Sequence, residues 1–289
     1  MILIEKAPPF ATVQDLGWPT GRAMGLPQCG AMDPLLLGRA NTLVGNLAGA
    51  AGIEWALGPG VLRAGIACEL TVLGAGEVLL NDEPADTAHP VLSLEPGARV
   101  AITPDPDRRF LYVAVRGGID VPVVLGSRST YLPGRFGGFE GRRLKAGDLL
   151  PVGPAVHTRL GGTVHPRAAP DAGAEEMPIR ITRGPQWDRF DEPARRILLE
   201  SRFRISALSD RMGYRLEGPP IVPSQTATLP SEAACPGAIQ IPDGGAPIVL
   251  MPDGPTVGGY PKIAVVVRPD LRCLAQYLPG REVRFRETG

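Results

Sequence analysis

The sequence predicts a mainly β protein with a few short helices. Glycine (37 residues) and proline (32 residues) are spread along the 289-residue chain without a period, which is typical of short strands joined by tight turns. Short segments of alternating apolar residues recur between these turns, whereas only three segments have helical spacing. A chain of this length is also long enough for two domains of ordinary size.

Ten segments are predicted as strands because they are short, rich in β-branched and other apolar residues, and bounded by turn residues. They are Ile2–Glu5, Cys68–Leu73, Val78–Leu80, Arg99–Thr103, Phe110–Val115, Ile179–Thr182, Ile239–Ile241, Ile248–Leu250, Ile263–Val267 and Glu282–Phe285.

Three helices are predicted from capping residues followed by apolar residues at helical spacing. The first begins after Asp33, has Pro34 at its first position, and continues through apolar residues as far as Leu47. The second covers about 192–200 behind an Asp191 cap. The third is short, with Asp270 as its predicted cap, and it ends before Pro279 and Gly280.

The segment 153–178 is rich in Pro, Gly and Ala and has no sustained hydrophobic period, which is typical of a connection between domains. We therefore expect one domain over 1–160, a linker over 161–176 and a second domain over 177–289. Both halves end in a turn followed by an alternating strand, with the turns at Gly147 and Gly280. A third turn of this kind is expected at Gly97, because glycine tolerates positive φ.

Composition argues against several classes of function. The formal net charge is zero, which argues against a nucleic-acid partner. The four cysteines form no CxxC pair and have no ligand spacing with the three histidines, so no metal site is predicted. The first ten residues lack the features of a signal peptide, and no apolar run is long enough to span a membrane. Scattered cysteines without a secretion signal suggest a cytoplasmic protein.

The stretch 247–263 is the most informative for chemistry. A predicted strand enters a loop that carries a carboxylate, a hydroxyl, two glycines, a phenol and an amine, and a second strand leaves it. Paired glycines expose backbone N–H groups, a carboxylate accepts from a ring N–H, and a lysine neutralises developing negative charge. The catalytic candidates are Asp253 and Lys262, and the substrate-binding candidates are Thr256, Gly258, Gly259 and Tyr260. The alternative is a glycine turn with a solvated Asp and Lys.

Two further clusters are candidates for substrate binding. Asp210 and Arg211 precede a strand, and the alternative for them is a polar turn. Ser127 and Arg128 lie among clustered hydroxyls that are suited to binding a carboxylate or phosphate, and the alternative is a loop whose hydroxyls bond internally. Near the N-terminus, Cys29 has no histidine nearby in sequence to act as its base.

Two common catalytic motifs are absent from the sequence. It contains no G-x-x-x-x-G-K-[ST] phosphate loop and no G-x-S-x-G nucleophile turn. Any ATP chemistry is therefore expected to come from another polypeptide.

Eight ordered stretches, covering nearly the whole chain, resemble the allophanate-hydrolase-subunit-2-like family, also called biotin-dependent carboxyltransferase-like. They are TVQDLG (12–17), GAMDP (30–34), ANTLVGN (40–46), GGIDVPVVLGSRSTY (117–131), FGGFEGRRLKAGD (136–148), SDRMGYRLEGP (209–219), GAIQIP (237–242) and GGYPKI (258–263). The resemblance implies two cyclophilin-like β-barrel domains. The last loop departs from the family pattern, with Pro255 in place of Gln and Val257 in place of Thr. Upstream, Cys29 replaces the usual Ser and Trp18 the usual Arg.

The resemblance also implies a function. The family includes the C subunit of the ATP-dependent 5-oxoprolinase, a hydrolase that opens a cyclic amide. We therefore expect a protein that is inactive alone and helps partner subunits to cleave 5-oxo-L-proline to L-glutamate. The expected partners are an allophanate-hydrolase-subunit-1-like protein (the B subunit) and a LamB/YcsF-type protein (the A subunit). No covalently bound cofactor is expected, and the complex is expected to use ATP.

Two alternatives remain open at this point. One is the carboxyltransferase subunit of a biotin-dependent, urea-type carboxylase, in which case biotin on a carrier is the cofactor. The other is a regulatory protein that antagonises a kinase inhibitor and has no catalytic role.

Overall fold

The structure, a computed structural model, describes residues 1–86, 89–155, 177–224 and 229–288. These residues are mainly β, with three short α-helices among them, which confirms the predicted fold class. The chain divides into two compact units: Met1–Trp18 with Cys29–Asp171, and Pro19–Gln28 with Ala172–Gly289. The predicted linker 161–176 lies outside the described residues, so the predicted domain limits of 1–160 and 177–289 stay a prediction.

The strands between residues 1 and 155 are β1 (Ile2–Lys6), β2 (Phe10–Gln14), β3 (Gly52–Ala56), β4 (Gly60–Ala64), β5 (Cys68–Leu73), β6 (Ala75–Leu80), β7 (Glu83–Pro84), β8 (Val91–Leu94), β9 (Arg99–Pro104), β10 (Phe110–Val115) and β11 (Leu149–Leu150). Helix α1 (Pro34–Leu43) and a 3-10 helix (Gly21–Met24) lie in the same stretch of sequence.

The strands between residues 177 and 288 are β12 (Ile179–Arg183), β13 (Phe203–Ile205), β14 (Gly213–Glu217), β15 (Glu232–Ala233), β16 (Ala238–Gln240), β17 (Ile248–Leu250), β18 (Val257–Gly258), β19 (Lys262–Val266), β20 (Glu282–Val283) and β21 (Phe285–Glu287). Helices α2 (Glu192–Glu200) and α3 (Arg268–Ala275) and a 3-10 helix (Trp187–Arg189) accompany them.

The first unit is built from two sheets that share one core. One sheet has the order β11-β1-β4-β9-β6-β7 and the other has the order β2-β3-β10-β5-β8. Ile4 and Val100 from the first sheet and Trp55 and Val113 from the second belong to the same buried cluster. Burial of such apolar side chains supplies the main stabilisation of the unit.

The second unit is built around one sheet that nearly closes on itself. The sheet has the order β20-β13-β14-β17-β16-β19-β12-β21. Its two outer strands, β20 and β21, are parts of one segment, 282–287, interrupted at Arg284. The backbone N–H of Ile179 donates to the carbonyl of Arg284 at 2.8 Å. One segment therefore joins both edges, which leaves few unpaired edge groups and gives the sheet a barrel-like form.

The first two helix predictions are confirmed at their starts, and the third cap is wrong. Asp33 accepts from the N–H of Leu36, and Asp191 accepts from the N–H of Ala194. Asp270 instead lies inside α3, whose N-cap is Val267, and its carboxylate accepts from the backbone and guanidinium of Arg180. The carboxylate of Asp270, which the sequence pattern assigns to a helix cap, is therefore engaged by Arg180 of β12.

Helix α1 is shorter than its apolar pattern predicts. It ends at Leu43, and Gly45 follows with a φ of 75°. Leu47, the last apolar residue of the predicted pattern, is 66% exposed. A glycine in the left-handed region is a common helix stop, which explains why the spacing alone predicts too long a helix.

The predicted glycine turns are confirmed by their backbone angles. Gly97, Gly147 and Gly280 have φ values of 90°, 92° and 89°. A Cβ atom added at each of the three would meet nothing within 4 Å. Glycine is needed there for its backbone freedom and not for space.

Several strands were not predicted, and β3 shows why. Its sequence, GIEWA, contains Glu54, which interrupts the apolar pattern of a buried strand. In the structure Glu54 is fully buried and accepts from Tyr112 Oη and from the N–H of Met32, each at 2.7 Å. These distant donors satisfy the carboxylate, so the strand tolerates it.

Candidate functional site

The loop between β17 and β19 begins with a buried ion pair. Asp253 is 2% exposed, and Arg211 is 6% exposed. Arg211 Nε donates to one carboxylate oxygen at 2.9 Å and Nη2 donates to the other at 2.8 Å. Both oxygens of Asp253 are therefore held by a planar guanidinium, which is the strongest geometry for such a pair.

This placement changes the interpretation of Asp253. The sequence presents it as an open acceptor for a ring N–H, whereas the structure shows a buried carboxylate engaged on both oxygens. The backbone N–H of Asp253 also donates to the carbonyl of Arg211 at 2.9 Å. The pair ties the start of the loop to the turn before β14.

The end of the loop carries a second ion pair. Lys262 is 4% exposed, and its Nζ donates to Oε1 of Glu232. Gln186 Nε2 donates to the same oxygen at 2.6 Å, and the backbone N–H of Lys262 donates to Gln186 Oε1 at 3.0 Å. The carboxylate thus holds the ammonium in place, and the amide holds that carboxylate and the backbone of Lys262. The hydrogen bond from Lys262 is the largest cause that lowers the pKa of Glu232 below its ordinary value.

Gly258 in β18 and Gln240 in β16 lie next to this second ion pair. Gly258 lies opposite Glu232 in the β15–β18 pairing. A side-chain carbon at this position would lie 2.8 Å from Gln240 Nε2. Gln240 in turn lies opposite Lys262 in the β16–β19 pairing, so the two side chains project from neighbouring positions on the same face. We call Gln186, Glu232, Gln240, Gly258 and Lys262 the lysine cluster.

The remaining loop candidates lie at the surface of the same loop. Tyr260 is 46% exposed, Gly259 is exposed and Thr256 is half-buried. The carbonyl of Thr256 accepts from the N–H of Ala234 at 2.9 Å. The loop therefore presents a phenol and backbone groups at the surface, while its lysine is buried.

Asp210 has a local structural partner. Its Oδ1 accepts from the N–H of Met212 at 2.8 Å and from the N–H of Gly213 at 3.3 Å. This arrangement matches the polar turn that the sequence left open as the alternative, because Asp side chains commonly close turns in this way.

Ser127 and Arg128 belong to the first unit and are held there by acidic residues. Ser127 Oγ and the N–H of Arg128 donate to the two oxygens of Asp15 at 2.6 and 2.7 Å. Ser129 Oγ donates to Asp15 Oδ1, also at 2.6 Å. Arg128 Nη2 donates to Asp120 at 2.7 Å. The hydroxyls therefore bond internally, as in the alternative interpretation, whereas the lysine cluster belongs to the second unit.

No group of three or more His, Cys, Asp or Glu side chains among the described residues is arranged to hold a metal ion. Within the same residues, no helix combines the length and apolarity needed to cross a bilayer.

A family model described as "Carboxyltransferase domain, subdomain A and B" matches residues 24–287. The chain belongs to this family. The lysine cluster and both ion pairs of the loop lie inside the matched range.

Curated relatives of this carboxyltransferase-domain chain fall into two groups. It is 37% identical to the C subunit of 5-oxoprolinase from Escherichia coli (strain K12), over 99% of this chain and 90% of that protein. It is 32% identical to urea amidolyase of Lachancea kluyveri, over 96% of this chain but only 16% of that protein. The chain therefore corresponds to nearly all of one relative and to a small part of the other.

A solved structure shares the fold of this carboxyltransferase-domain chain. The crystal structure of urea amidolyase from Kluyveromyces lactis superposes with a TM-score of 0.89 and 27% identity, over 100% of this chain. The chain spans about a fifth of that structure, 19% of its length.

The sequence pattern of this carboxyltransferase-domain chain does not single out Gln186, Glu232 or Gln240, and our predictions missed all three. Glu232 lies 30 residues before Lys262 and Gln186 lies 76 residues before it. Neither separation has a periodicity that connects the residues. Gln240 is within GAIQIP, one of the stretches that resemble the family, where it is a polar residue in the middle of a predicted apolar strand. That position is the signal that could have identified it.

Proposed function

We propose that this chain is the C subunit of an ATP-dependent 5-oxoprolinase, which acts with partner subunits to cleave 5-oxo-L-proline to L-glutamate. The observation that carries the proposal is the match to the C subunit of the Escherichia coli 5-oxoprolinase over 99% of this chain and 90% of that protein. A second relative with the same name, from Haemophilus influenzae, supports it with 34% identity over 99% of this chain.

The chemistry of the reaction explains why several subunits are needed. A five-membered lactam is little strained, so direct attack of water on its carbonyl is slow. Transfer of the γ-phosphoryl group of ATP to the lactam oxygen forms an imidate phosphate and releases ADP. Water adds to the activated carbon, and the adduct collapses with cleavage of the C–N bond to an acyl phosphate. A second water hydrolyses the acyl phosphate, so the net products are L-glutamate, ADP and phosphate.

Lys262 is the residue that we assign to the lactam oxygen. Its ammonium is nearly buried, where a positive charge acts strongly on the negative charge of the phosphoryl group that this oxygen receives. Glu232 keeps the ammonium in one place. The side chain of Glu232 is 37% exposed, so a ligand would approach the pair from the Glu232 side. The glycines at 258 and 259 allow a ligand to approach the backbone closely.

Asp253 and Arg211 act in this proposal by positioning the loop. Their buried, two-bond ion pair fixes the start of the loop whose other end carries Lys262. Tyr260 and Thr256 remain candidates for direct contact with substrate. Asp210, Ser127 and Arg128 contribute to the shape of their own loops.

The partners that we propose are a B subunit of the allophanate-hydrolase-subunit-1 type and an A subunit of the LamB/YcsF type. ATP binds to the complex, and we assign it to a partner because this sequence has no phosphate loop. We expect the complex to work in the cytoplasm.

The test is reconstitution. The chain is co-purified with the products of its neighbouring genes, and ATP hydrolysis is measured with and without 5-oxoproline. We expect hydrolysis that depends on 5-oxoproline in the complex and none with the isolated chain. Turnover of 5-oxoproline by the isolated chain would contradict the proposal. So would a complex whose rate of ATP hydrolysis does not change when 5-oxoproline is added.

The second candidate is a carboxyltransferase acting with a biotin carrier. The observation that favours it is the TM-score of 0.89 to the urea amidolyase of Kluyveromyces lactis. The ureido ring of biotin and the lactam of 5-oxoproline both present a ring N–H beside a carbonyl. Carboxylation of urea by the complex, dependent on a biotinylated carrier, would select this candidate.

A further inference from the structure

Gln240 has a buried amide nitrogen without a partner in the part of the chain that the structure describes. The residue is 4% exposed, and its Nε2 makes no hydrogen bond to a described acceptor. Folding normally pairs such groups, because a buried N–H that has lost water and gained no acceptor destabilises the folded state. An unpaired donor beside a candidate site therefore points to a bound group.

The position of Gln240 places this donor in the lysine cluster. Gln240 lies opposite Lys262 across β16 and β19. A side-chain carbon at residue 258 would lie 2.8 Å from Nε2, so glycine there leaves room in front of the amide. The donor therefore lies beside Gly258, on the strand that pairs with the strand of Lys262.

The charges of the cluster indicate what kind of ligand group fits. Lys262 is already neutralised by Glu232, and the side chains of Gln186 and Gln240 carry no charge. The balanced pair therefore offers no net positive charge to an anionic group such as a carboxylate at the Gln240 amide. A carbonyl oxygen is neutral and accepts hydrogen bonds. It therefore suits the Gln240 amide donor, which lies beside the charge-balanced pair of Lys262 and Glu232.

We propose that Gln240 Nε2 donates a hydrogen bond to the carbonyl oxygen of a cyclic amide or cyclic urea. This inference rests on the proposed function for the identity of the substrate. The covering strand β18 is only two residues long and pairs with the two residues of β15. A ladder this short opens at low cost, which gives the ligand a route to the amide.

The test uses Gln240→Met in the complex with its partner subunits. Methionine has a similar size and no donor, so we expect KM for 5-oxoproline to rise about tenfold, the scale of one lost neutral hydrogen bond. The melting temperature should stay the same or rise, because the variant removes an unsatisfied donor. Gln276→Met, at another buried glutamine of the second unit, is the control and should leave KM unchanged.

The outcomes separate this inference from the proposed function. If the wild-type complex turns over 5-oxoproline and Gln240→Met has the wild-type KM, the inference is wrong and the proposed function stands. A buried water bound to Gln240 Nε2 would give this result. If the wild-type complex does not act on 5-oxoproline, the function is wrong. The inference is then tested on the full chain by thermal shift with 2-pyrrolidinone and imidazolidin-2-one, with pyrrolidine, which lacks the carbonyl, as the control.

In that case we expect both carbonyl compounds to stabilise the wild-type chain, pyrrolidine to have no effect, and Gln240→Met to abolish the shift. Equal shifts in wild type and variant, or no shift in wild type at millimolar ligand, would overturn the inference.

Discussion

Arg211 and Asp253 form a two-bond ion pair that is almost fully removed from solvent, at 6% and 2% exposure. The two residues are 42 positions apart in sequence. Their pairing fixes the start of the loop that ends at Lys262, so the stability of the second unit should depend on it.

Arg211→Ala should destabilise the second unit by about 3–5 kcal/mol, because it leaves the carboxylate of Asp253 buried without its partner. The measurement is the free energy of unfolding in urea. Replacing both residues by apolar ones, Arg211→Met with Asp253→Leu, should recover most of the loss. A surface substitution changes the free energy of unfolding by about 0.5 kcal/mol or less. If Arg211→Ala has an effect this small, the pair is not buried in solution.

Lys262→Arg should lower kcat of the reconstituted complex by a factor on the order of 100 while the chain stays folded. An ammonium approaches a single oxygen as a compact charge, whereas a guanidinium prefers two acceptors and needs more room. A hundredfold loss corresponds to about 2.7 kcal/mol of transition-state stabilisation, the scale of one oxyanion donor.

The matched control for that experiment is Lys6→Arg, at an exposed lysine of the first unit. It should leave kcat and KM unchanged. Wild-type kinetics in a stably folded Lys262→Arg complex would remove Lys262 from the proposed site.

The pH dependence of stability should report the Lys262–Glu232 pair. The hydrogen bond from Lys262 lowers the pKa of Glu232 below its ordinary value of 4.5. A carboxyl whose pKa is lower in the folded state stabilises folding above the ordinary value, and the effect is lost as the pH falls through the folded value.

We therefore compare melting temperatures of wild type and Glu232→Gln between pH 7 and pH 3. The advantage of wild type should be constant above about pH 5.5 and should shrink on acidification below the ordinary pKa. Glu95→Gln, at an exposed glutamate, should show no such trend. A wild-type advantage that persists unchanged at pH 3 would mean that the pair does not form.

Asp15→Ala should destabilise the first unit without a direct effect on substrate binding. Asp15 accepts from Ser127 Oγ, Ser129 Oγ and the N–H of Arg128. Losing these charge-assisted bonds leaves two buried hydroxyls without an acceptor, so we expect a loss of about 2–4 kcal/mol in unfolding free energy. Asp107→Ala, at an exposed aspartate, is the control.

The kinetic readout of Asp15→Ala decides between the two interpretations of this cluster. At a temperature where the variant is folded, KM for 5-oxoproline should match wild type. A raised KM in the folded variant would restore Ser127 and Arg128 as substrate-binding residues.

The class of fold, and the local features that are encoded within a few residues, could be predicted from the amino-acid sequence. The glycine turns at Gly97, Gly147 and Gly280 follow from backbone sterics at one position, and the caps at Asp33 and Asp191 follow from a side chain three residues before its donor. The glycine-rich loop with Lys262 was visible for the same reason.

The roles of the charged side chains, in contrast, are evident only in the folded chain. Lys262 meets Glu232, Asp253 meets Arg211, and Asp270 meets Arg180 instead of capping a helix. These partners lie 30 to 90 residues apart and are brought together by strand order and register. Electrostatic pairing depends on distances of a few ångströms, and a single sequence does not specify such distances between segments that are far apart along the chain.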